Sequence, residues 1–352
     1  MSTKMSSPAR LYRKLEGLFS VFKPSGIHWK LVRDTIEANL LKEINAAPSP
    51  APKLEVNFQA LPSGESGTTK ELIMAATQLP VLSASPQVRG PRYRTLKVGV
   101  GHRLDAFSSG VLVLGVGQAN RALAEFYSSP VTRDYTLEGE FGMATDDFSY
   151  TGRIIERTTF DHITLEKLEK ILAMIQGGHQ KALITYSGVD LQSQEAYELA
   201  VHGMLQPHSK SPPILTGLRC IHFQPPHFTL EAQCVNETQR YLRKLIHEVG
   251  LELRSSAVCR GVRRIRDGPF GLQEALTRQH WTASDIRRGI KVHRSMLKAF
   301  SKVSDSTRAE KAQSKQRYQK TGTADDSTAN ITATTPKHLH SATEEAAENV
   351  SP

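Results

Sequence analysis

Cysteines and long apolar runs are both scarce in this sequence. The three cysteines, Cys220, Cys234 and Cys259, are widely spaced and odd in number, which fits neither a disulfide framework nor paired zinc ligands. The longest apolar stretch, residues 111–116, has only the length of a strand, whereas a membrane-spanning helix needs about 18 or more apolar residues. We therefore expect free thiols in a reducing compartment and a chain without a membrane span.

Acidic residues are missing from the first 15 positions, which carry several basic residues and serines. The apolar residues Leu11, Tyr12, Leu15 and Leu18 have the spacing of one helical face. This pattern is compatible with a short mitochondrial presequence, and it is equally compatible with a frayed basic N-terminus. Both interpretations stay open for residues 1–17.

Large apolar residues almost disappear after residue 300. The last segment is rich in Ser, Thr, Ala, Lys and Gln and cannot offset the entropy of ordering, so a disordered tail is predicted for residues 301–352. Residues 46–90 are rich in Ala, Pro, Ser and Gly, which is typical of a flexible surface insertion. These boundaries leave one folded domain, residues 18–300.

Basic residues outnumber acidic ones. The 352 residues include 45 Lys and Arg against 35 Asp and Glu, which gives a formal net charge of +10. Lys and Arg gain free energy by displacing counterions from phosphate, so this balance favours a nucleic-acid partner. The charge favours it only modestly, because ribosomal, chromatin and mitochondrial matrix proteins are basic for other reasons. The hydrophobic fraction of 39% excludes disorder throughout the chain.

Strand and helix patterns alternate irregularly along the chain. Apolar runs and alternation predict strands at residues 18–22, 110–115, 134–139, 182–186, 217–223 and 228–235. Helical spacing predicts helices through Leu31, Ile36 and Leu40, and at residues 121–127, 164–175, 193–201, 238–249 and 285–300. Because the spacing is not that of a parallel βαβ array, we predict an α+β fold around an antiparallel or mixed sheet.

A carboxylate lies in the loop between two apolar strands. Asp105 ends the segment Gly-His-Arg-Leu-Asp, which puts an imidazole and a guanidinium beside it, at His102 and Arg103. A carboxylate in such a loop is poised for acid–base or nucleophilic chemistry. Taken alone, however, the position is more readily explained as an acidic turn residue, because Asp is common where the chain reverses.

Several separated motifs, taken in order, resemble the TruB family of pseudouridine synthases. The matching segments are residues 22–26 (Phe-Lys-Pro-Ser-Gly), 98–112 around Asp105, 133–135 (Arg-Asp-Tyr), 186–203, 241–245 (Tyr-Leu-Arg-Lys-Leu) and 262–270. The resemblance spans about residues 18–275. For residues 18–300 it implies the pseudouridine-synthase catalytic fold, an α+β fold with a central mixed, mainly antiparallel sheet flanked by helices. It also implies isomerisation of uridine in RNA without a cofactor or a metal.

The resemblance carries residue roles onto matching positions. It implies that Asp105 is the catalytic aspartate, that Arg243 pairs with it, and that Tyr135 lies against the target base, where it is also a candidate general base. A solvated helix cation and a half-buried packing residue remain the alternatives for Arg243 and Tyr135. The positions implied to bind or position the substrate are Lys23, His102, Arg103, Leu104, Tyr186, Tyr197, Tyr241, Arg263 and Arg264. A solvated basic face is the alternative for the last two.

Two features depart from the family pattern. Val100 stands where the family has a histidine, and the following His102-Arg103 is similar to the RluA family, in which an arginine displaces the base. After Phe270 only a helical stretch and a polar tail remain, so we expect no C-terminal PUA domain. Together with the insertion and the basic N-terminus, this resembles the animal mitochondrial TruB-like branch. That resemblance implies the mitochondrial matrix, RNA partners (mitochondrial mRNA, tRNA and large-subunit rRNA) and ribosome-assembly proteins.

Two other functions are suggested by parts of the sequence. Gly115 and Gly117 after an apolar strand suggest a dinucleotide-binding turn, but Asn120 occupies the position of the third glycine and the expected ribose-binding acid is missing. The stronger rival is a catalytically idle RNA-binding or ribosome-assembly protein that keeps the fold. The combination of Asp105, Tyr135 and Arg243 argues against it.

Overall fold

The computed structural model describes residues 8–46, 54–62, 72–81, 88, 90–128, 131–188, 194, 207 and 211–298. These residues lie within one unit, Met1–Asp305. Among the helices in these ranges, none is long and apolar enough to cross a membrane. Of the predicted helix at residues 193–201 only residue 194 is described, and the predicted tail lies outside the described residues.

A mixed sheet organises the molecule. The strands are β1 (Gly17–Lys23), β2 (Leu54–Pro62), β3 (Leu72–Pro80), β4 (Val98–Val100), β5 (Ser109–Val116), β6 (Arg133–Phe141), β7 (Met143–Thr145), β8 (Ile154–Arg157), β9 (Ile214–Gln224), β10 (His227–Val235), β11 (Ala257–Asp267) and β12 (Phe270–Gly271). The main sheet has the order β1-β5-β11-β6-β10-β9, with β4 beside β5 and β12 beside β11. Its pairs are antiparallel except β5 with β11, which is parallel. The predicted mixed, mainly antiparallel sheet is confirmed.

Helices cover the sheet. They are α1 (Pro8–Lys14), α2 (Trp29–Ala46), α3 (Ala119–Ser128), α4 (Leu165–Ser187), α5 (Gln239–Glu252) and α6 (residues 283–298), with a 3-10 turn at Arg278–His280. Helix α4 begins after Thr164 and α5 after Thr238, and each threonine side chain accepts a hydrogen bond from the first turn. The α+β class is confirmed.

Two large apolar clusters hold the helices on the sheet. In one, α4 and α5 pack against β6, β9, β10 and β11. In the other, α2 and α6 pack against β1 and β5. Strand β5 is buried along almost its whole length, as its continuous apolar sequence requires. Because the two clusters meet around β5 and β11, the loop that leads into β5 has a rigid support.

Several details of the predicted elements are wrong. Residues 182–186 form the last turns of α4 and not a strand, because an apolar run of this length does not distinguish the two. Leu18 belongs to β1 rather than to an N-terminal helix. In α2 the buried stripe begins at Val32, and Leu31 is 59% exposed.

The segment 46–90 contains regular structure that its composition did not predict. Strands β2 and β3 form an antiparallel hairpin with Leu54 opposite Pro80 and Pro62 opposite Leu72. Leu54, Val56 and Phe58, which alternate along β2, are all exposed. The hairpin is therefore not part of either apolar cluster.

Candidate functional site

The strand register aligns distant parts of the sequence in one row. Lys23 of β1 lies opposite Gly110 of β5, Gly110 lies beside Arg264 of β11, and Arg264 lies opposite Tyr135 of β6. Gly110 has a φ of +112°, and a Cβ there would lie 2.1 Å from the carbonyl oxygen of Arg264. Only glycine allows this approach. The row brings together three candidate residues at the level where the loop from β4 enters β5.

Asp105 lies in that loop, with its carboxylate held from two sides. Its Oδ1 accepts a hydrogen bond from the backbone N–H of Ser108 at 2.8 Å, and its Oδ2 pairs with Nη1 of Arg243. Burial raises the pKa of Asp105, but the hydrogen bonds from Ser108 and Arg243 outweigh that effect and hold it below its usual value. The side chain of Asp105 is 34% exposed, so this ionised carboxylate is accessible. The neighbouring Leu104 is fully buried and anchors the loop.

Arg243 projects from α5 towards the loop. Its side chain is only 15% exposed, and its guanidinium also lies 5.5 Å from the ring centre of Phe107. Its Nε is buried without a hydrogen-bond partner among the described residues. The alternative of a solvated helix cation is therefore wrong, and Arg243 makes the ion pair with Asp105 that the resemblance implied.

Lys23 fastens the loop from the side of β1. Its Nζ donates to the carbonyl oxygens of Pro24 at 3.0 Å, Ala106 at 3.4 Å and Ser108 at 2.5 Å. Burial lowers the pKa of Lys23 to about 8, and the charge of Asp105 partly offsets that effect. Three bonds to backbone oxygens explain how an enclosed ammonium group is tolerated. Lys23 thus fixes the loop directly around Asp105.

A buried ionic cluster lies beside the loop at the end of β6. Arg133 donates from Nη1 to both carboxylate oxygens of Glu237 at 3.2 Å and from Nε to Asp267 at 3.0 Å. Two tyrosine hydroxyls donate to the same carboxylates, Tyr135 to Glu237 at 2.6 Å and Tyr127 to Asp267 at 2.7 Å. Both carboxylate side chains are 0% exposed. The cluster therefore pairs its buried charges, as burial of charge requires.

Tyr135 is enclosed by this cluster. The residue is 0% exposed, and burial together with the charge of Glu237 raises its pKa well above the usual value. Its hydroxyl therefore stays protonated and donates a hydrogen bond to Glu237. The ring has no solvent-exposed face in this structure, so the half-buried environment considered for Tyr135 is wrong.

Arg264 fastens the loop from the side of β11. Its Nε donates to the carbonyl oxygen of Val111 at 2.7 Å and its Nη2 to that of His102 at 2.8 Å. Its Nη1 lies 3.0 Å from Nδ1 of His102. Because arginine only donates, Nδ1 must accept, and the ring proton of His102 lies on Nε2. Arg264 is 0% exposed, so a solvated basic face is wrong for this residue.

The imidazole of His102 is neutral near neutral pH. Burial and the positive charges of Arg133 and Arg264 lower its pKa to about 3. The neutral ring belongs to the support of the loop through its contact with Arg264. Asp105 thus lies in a loop that Lys23 and Arg264 hold at both ends.

A cavity of about 870 Å³ opens beside this loop. Its lining includes Lys97, His102, Arg103, Arg133, Asn236 and Gln239. Gln239 also accepts a hydrogen bond from the Ser108 hydroxyl at 2.9 Å, which joins the wall of the cavity to the turn that holds Asp105. A cavity of this volume has room for a nucleotide-sized ligand.

The other predicted site residues are dispersed. Tyr241 is half-buried on α5, with its hydroxyl 3.2 Å from Nε2 of His179 on α4. Arg263 is exposed on β11, and Tyr186 is 41% exposed in the last turn of α4. Tyr197 lies outside the described residues. Within the described part of the chain, no group of three or more His, Cys, Asp and Glu side chains could hold a metal ion.

Sequence reasoning missed the acids of the buried cluster. Glu237 precedes the cap of α5, and Asp267 ends β11 after three arginines. A single acid at the end of a basic strand is a usable signal for a buried partner. The irregular register between Arg264 and Arg266 is not readable from sequence, however, and it decides which arginine faces Asp267.

Known proteins match this chain over most of its length. The family model described as TruB family pseudouridylate synthase, N-terminal domain, matches residues 91–240. The mitochondrial pseudouridylate synthase TRUB2 of Xenopus tropicalis is 54% identical over 293 residues, which cover 83% of this chain and 90% of that protein. The human protein of the same name is 54% identical over 278 residues, or 79% of this chain and 84% of its own length.

The chain belongs to the TruB family of pseudouridylate synthases. It is accordingly an RNA pseudouridine synthase, and the predicted enzyme class and fold class are confirmed. A more distant relative, the tRNA pseudouridine synthase B of Syntrophotalea carbinolica, is 27% identical over 181 residues, which cover 51% of this chain and 58% of that protein. A solved H/ACA RNP bound to a substrate RNA containing 2′-deoxyuridine matches with a TM-score of 0.41 and 15% identity over 80% of this chain and 58% of that one.

Proposed function

We propose that this TruB-family enzyme isomerises specific uridines in RNA through the carboxylate of Asp105. The observation that carries the proposal is the ion pair between Asp105 and Arg243. It leaves an ionised carboxylate accessible at the surface while three cations and a buried cluster fix the loop around it. An accessible charge on a rigid support is the arrangement that preorganised catalysis needs.

The reaction is balanced without an added reagent. Conversion of uridine to pseudouridine breaks the bond from N1 to C1′ and forms one from C5 to C1′. The C5 hydrogen leaves as a proton and N1 gains a proton, so the nucleotide keeps its composition and oxidation state. A carboxylate can bond to C1′ or compensate its positive charge while the base turns. Asp105 has this role in the proposal.

Arg243 acts on Asp105 in this proposal. Its guanidinium favours the charged form of the carboxylate and fixes the orientation of Oδ2. The target uridine has to leave its stack to reach the pair. Arg103, which is exposed beside the cavity, is the candidate for occupying the vacated space.

Tyr135 and Glu237 form a proton-transfer pair in this proposal. The Tyr135 hydroxyl already donates to Glu237 at 2.6 Å. If the tyrosine oxygen takes up the proton from C5, the phenolic proton can therefore pass to the carboxylate of Glu237. This step requires the nucleotide to reach a ring that is enclosed in this structure. It keeps Tyr135 as the candidate general base.

The remaining candidates divide into two groups. Lys23, His102, Leu104 and Arg264 position the loop, and they act on the substrate through it. Tyr186, Tyr197, Tyr241 and Arg263 are proposed to contact RNA outside the loop. Residues 18–300 are the proposed catalytic domain, with 46–90 as an insertion, 301–352 as a tail and 1–17 as a basic N-terminus that either targets the protein or remains with it.

The named relatives support a mitochondrial setting, because the TRUB2 proteins are named mitochondrial. We propose the mitochondrial matrix as the location of this protein. We propose mitochondrial mRNA and tRNA as substrates. Large-subunit rRNA and ribosome-assembly proteins are the proposed further partners.

The experiment is carbodiimide-based mapping of pseudouridine in cellular and mitochondrial RNA, with the native gene replaced by the unaltered gene or by Asp105→Asn. Sites lost only with the variant would support the proposal and identify the substrates. An unchanged map together with impaired mitochondrial ribosomes would contradict it and favour the non-catalytic assembly role. A map that changes only in cytosolic RNA would contradict the proposed location.

A further inference from the structure

An aromatic residue next to the loop is surrounded by cations. Trp29 begins α2, and its ring centre lies 4.7 Å from the guanidinium carbon of Arg103, 5.7 Å from that of Arg33 and 5.9 Å from Nζ of Lys30. The segment before it is joined to the loop by a 2.8 Å hydrogen bond from the N–H of Gly26 to the carbonyl oxygen of Ala106. The group therefore lies beside the Asp105 loop, on the side of β1.

The charges in this group are unequally compensated. Arg33 forms an ion pair with its neighbour Asp34. Arg103 and Lys30 are both exposed, and neither has an acidic partner among the described residues. Two exposed cations that no acid in the described part of the chain neutralises are suited to bind a polyanion.

The contact of Arg103 with the Trp29 ring also restricts the position of the guanidinium group. A guanidinium that lies over an aromatic ring uses its face, while its N–H groups lie in its plane and remain free for acceptors. Trp29 itself is partly buried against the apolar cluster of α2 and β1. The ring therefore has a fixed position, and Arg103 loses less conformational freedom when it binds an anion.

We propose that Trp29, Lys30 and Arg103 form a binding site for the RNA phosphodiester backbone next to the target uridine, with Lys30 and Arg103 contacting phosphates and Trp29 positioning Arg103. The site rests on the proposed function for its substrate. It is separate from the Asp105–Arg243 pair, since its cations come from α2 and from the exposed side of the loop. Arg103 also lines the large cavity, so the strand bound here passes the mouth of that cavity.

The first test measures RNA affinity independently of catalysis. Proteins carrying Asp105→Asn are titrated with a short fluorescein-labelled oligouridylate at a series of KCl concentrations, and anisotropy gives the dissociation constant. Lys30→Gln is compared with Lys170→Gln. Lys170 is an exposed lysine of α4, which packs against β9 at the opposite edge of the sheet.

We expect Lys30→Gln to weaken binding several-fold and to reduce the slope of log affinity against log salt by about 0.7, the value for one lost phosphate contact on a single strand. Lys170→Gln should change neither quantity. Equal effects of the two variants would overturn the site, because they would mean that only the overall charge matters.

The second test addresses Trp29 as a positioning residue. Trp29→Leu should weaken binding as much as Arg103→Gln does, and it should add no further loss when both changes are combined. Trp29→Phe keeps an aromatic face and should restore most of the affinity. Thermal unfolding of each variant identifies any that fail to fold. If Trp29→Leu does not fold, the RNA affinity of Trp29→Phe alone is compared with that of Arg103→Gln. Additive losses would show that Trp29 does not act through Arg103 and would overturn this part of the proposal.

The two proposals fail separately. If Asp105→Asn leaves pseudouridine formation intact, the catalytic assignment is lost while the affinity comparison still stands. If the affinities of Lys30→Gln and Arg103→Gln match that of their Asp105→Asn parent, the phosphate site is lost while the catalytic assignment still stands.

Discussion

Two sets of carboxylate–guanidinium contacts lie close together, and they differ in exposure. The Asp105–Arg243 pair has side-chain exposures of 34% and 15%, whereas Glu237 and Asp267 of the buried cluster are 0% exposed and Arg133 is 7% exposed. The same chemical groups therefore serve different purposes. The enclosed pairs fix strands and a loop, and in the proposed function the accessible pair keeps a charge available to the substrate.

The largest expected effect is on activity. Asp105→Asn removes the accessible charge at almost constant size, so we expect pseudouridine formation on a reactive RNA to fall by at least about a thousandfold. The temperature of unfolding should change little, because this site is partly solvated. Turnover within tenfold of the unaltered protein would contradict the assigned role.

An Asp-to-Asn substitution in the buried cluster should lower the free energy of unfolding instead. Asp267→Asn breaks contacts with Arg133, Arg264 and Tyr127, and we expect the free energy of unfolding in urea to fall by about 3–5 kcal/mol. Glu231→Gln, in an exposed pair with Arg219, is the matched control and should cost no more than about 1 kcal/mol. Equal losses from both variants would remove the distinction between the buried and the exposed pairs.

A smaller effect on the rate is expected when the side chain at position 243 keeps its charge and changes its shape. Arg243→Lys preserves the positive charge but replaces a planar fork by a compact ammonium group, so the carboxylate of Asp105 is held less firmly. We expect single-turnover rates to fall by about ten- to a hundredfold with unchanged RNA affinity. If affinity falls and the rate does not, Arg243 contacts RNA rather than Asp105.

The smallest effect concerns His102 and pH. Its folded-state pKa of about 3 lies below the ordinary value of 6.5, so the unfolded chain binds more protons in between. Stability should therefore fall as the pH is lowered from about 6.5 towards 3, with a contribution of up to about 1.4 kcal/mol per pH unit. His102→Asn keeps an acceptor for Arg264 and should reduce this slope in urea unfolding series. An unchanged slope would show that His102 is not the group responsible.

Prediction from sequence succeeded where local patterns carry the information. The apolar residues that alternate along residues 228–235 predicted a strand, and in β10 Phe228, Leu230, Ala232 and Cys234 are the buried residues of that alternation. The motif order identified Asp105 and Arg243 as a pair although they are 138 positions apart. Neither result needed knowledge of the packing.

The failures have physical causes. The burial of Glu237 and Asp267 depends on the register of β6 with β11 and on an irregularity near Arg264, and both are tertiary properties. The apolar run at residues 182–186 satisfies helix and strand equally, and its continuity with α4 decides the outcome. The contact of Arg103 with Trp29 joins α2 to the loop, a proximity that sequence spacing does not contain.

The row of Lys23, Gly110 and Arg264 has a consequence for folding during synthesis on the ribosome. Strand β5 is held between a strand made at the start of the folded region and one made near its end, and its pairing with β11 is parallel. Such long-range contacts form late and slowly. Until β11 has left the ribosome, neither Arg264 nor the strand that carries it can contact the loop. In the proposed function, we therefore expect uridine modification to begin only after β11 has been synthesised and has paired with β5.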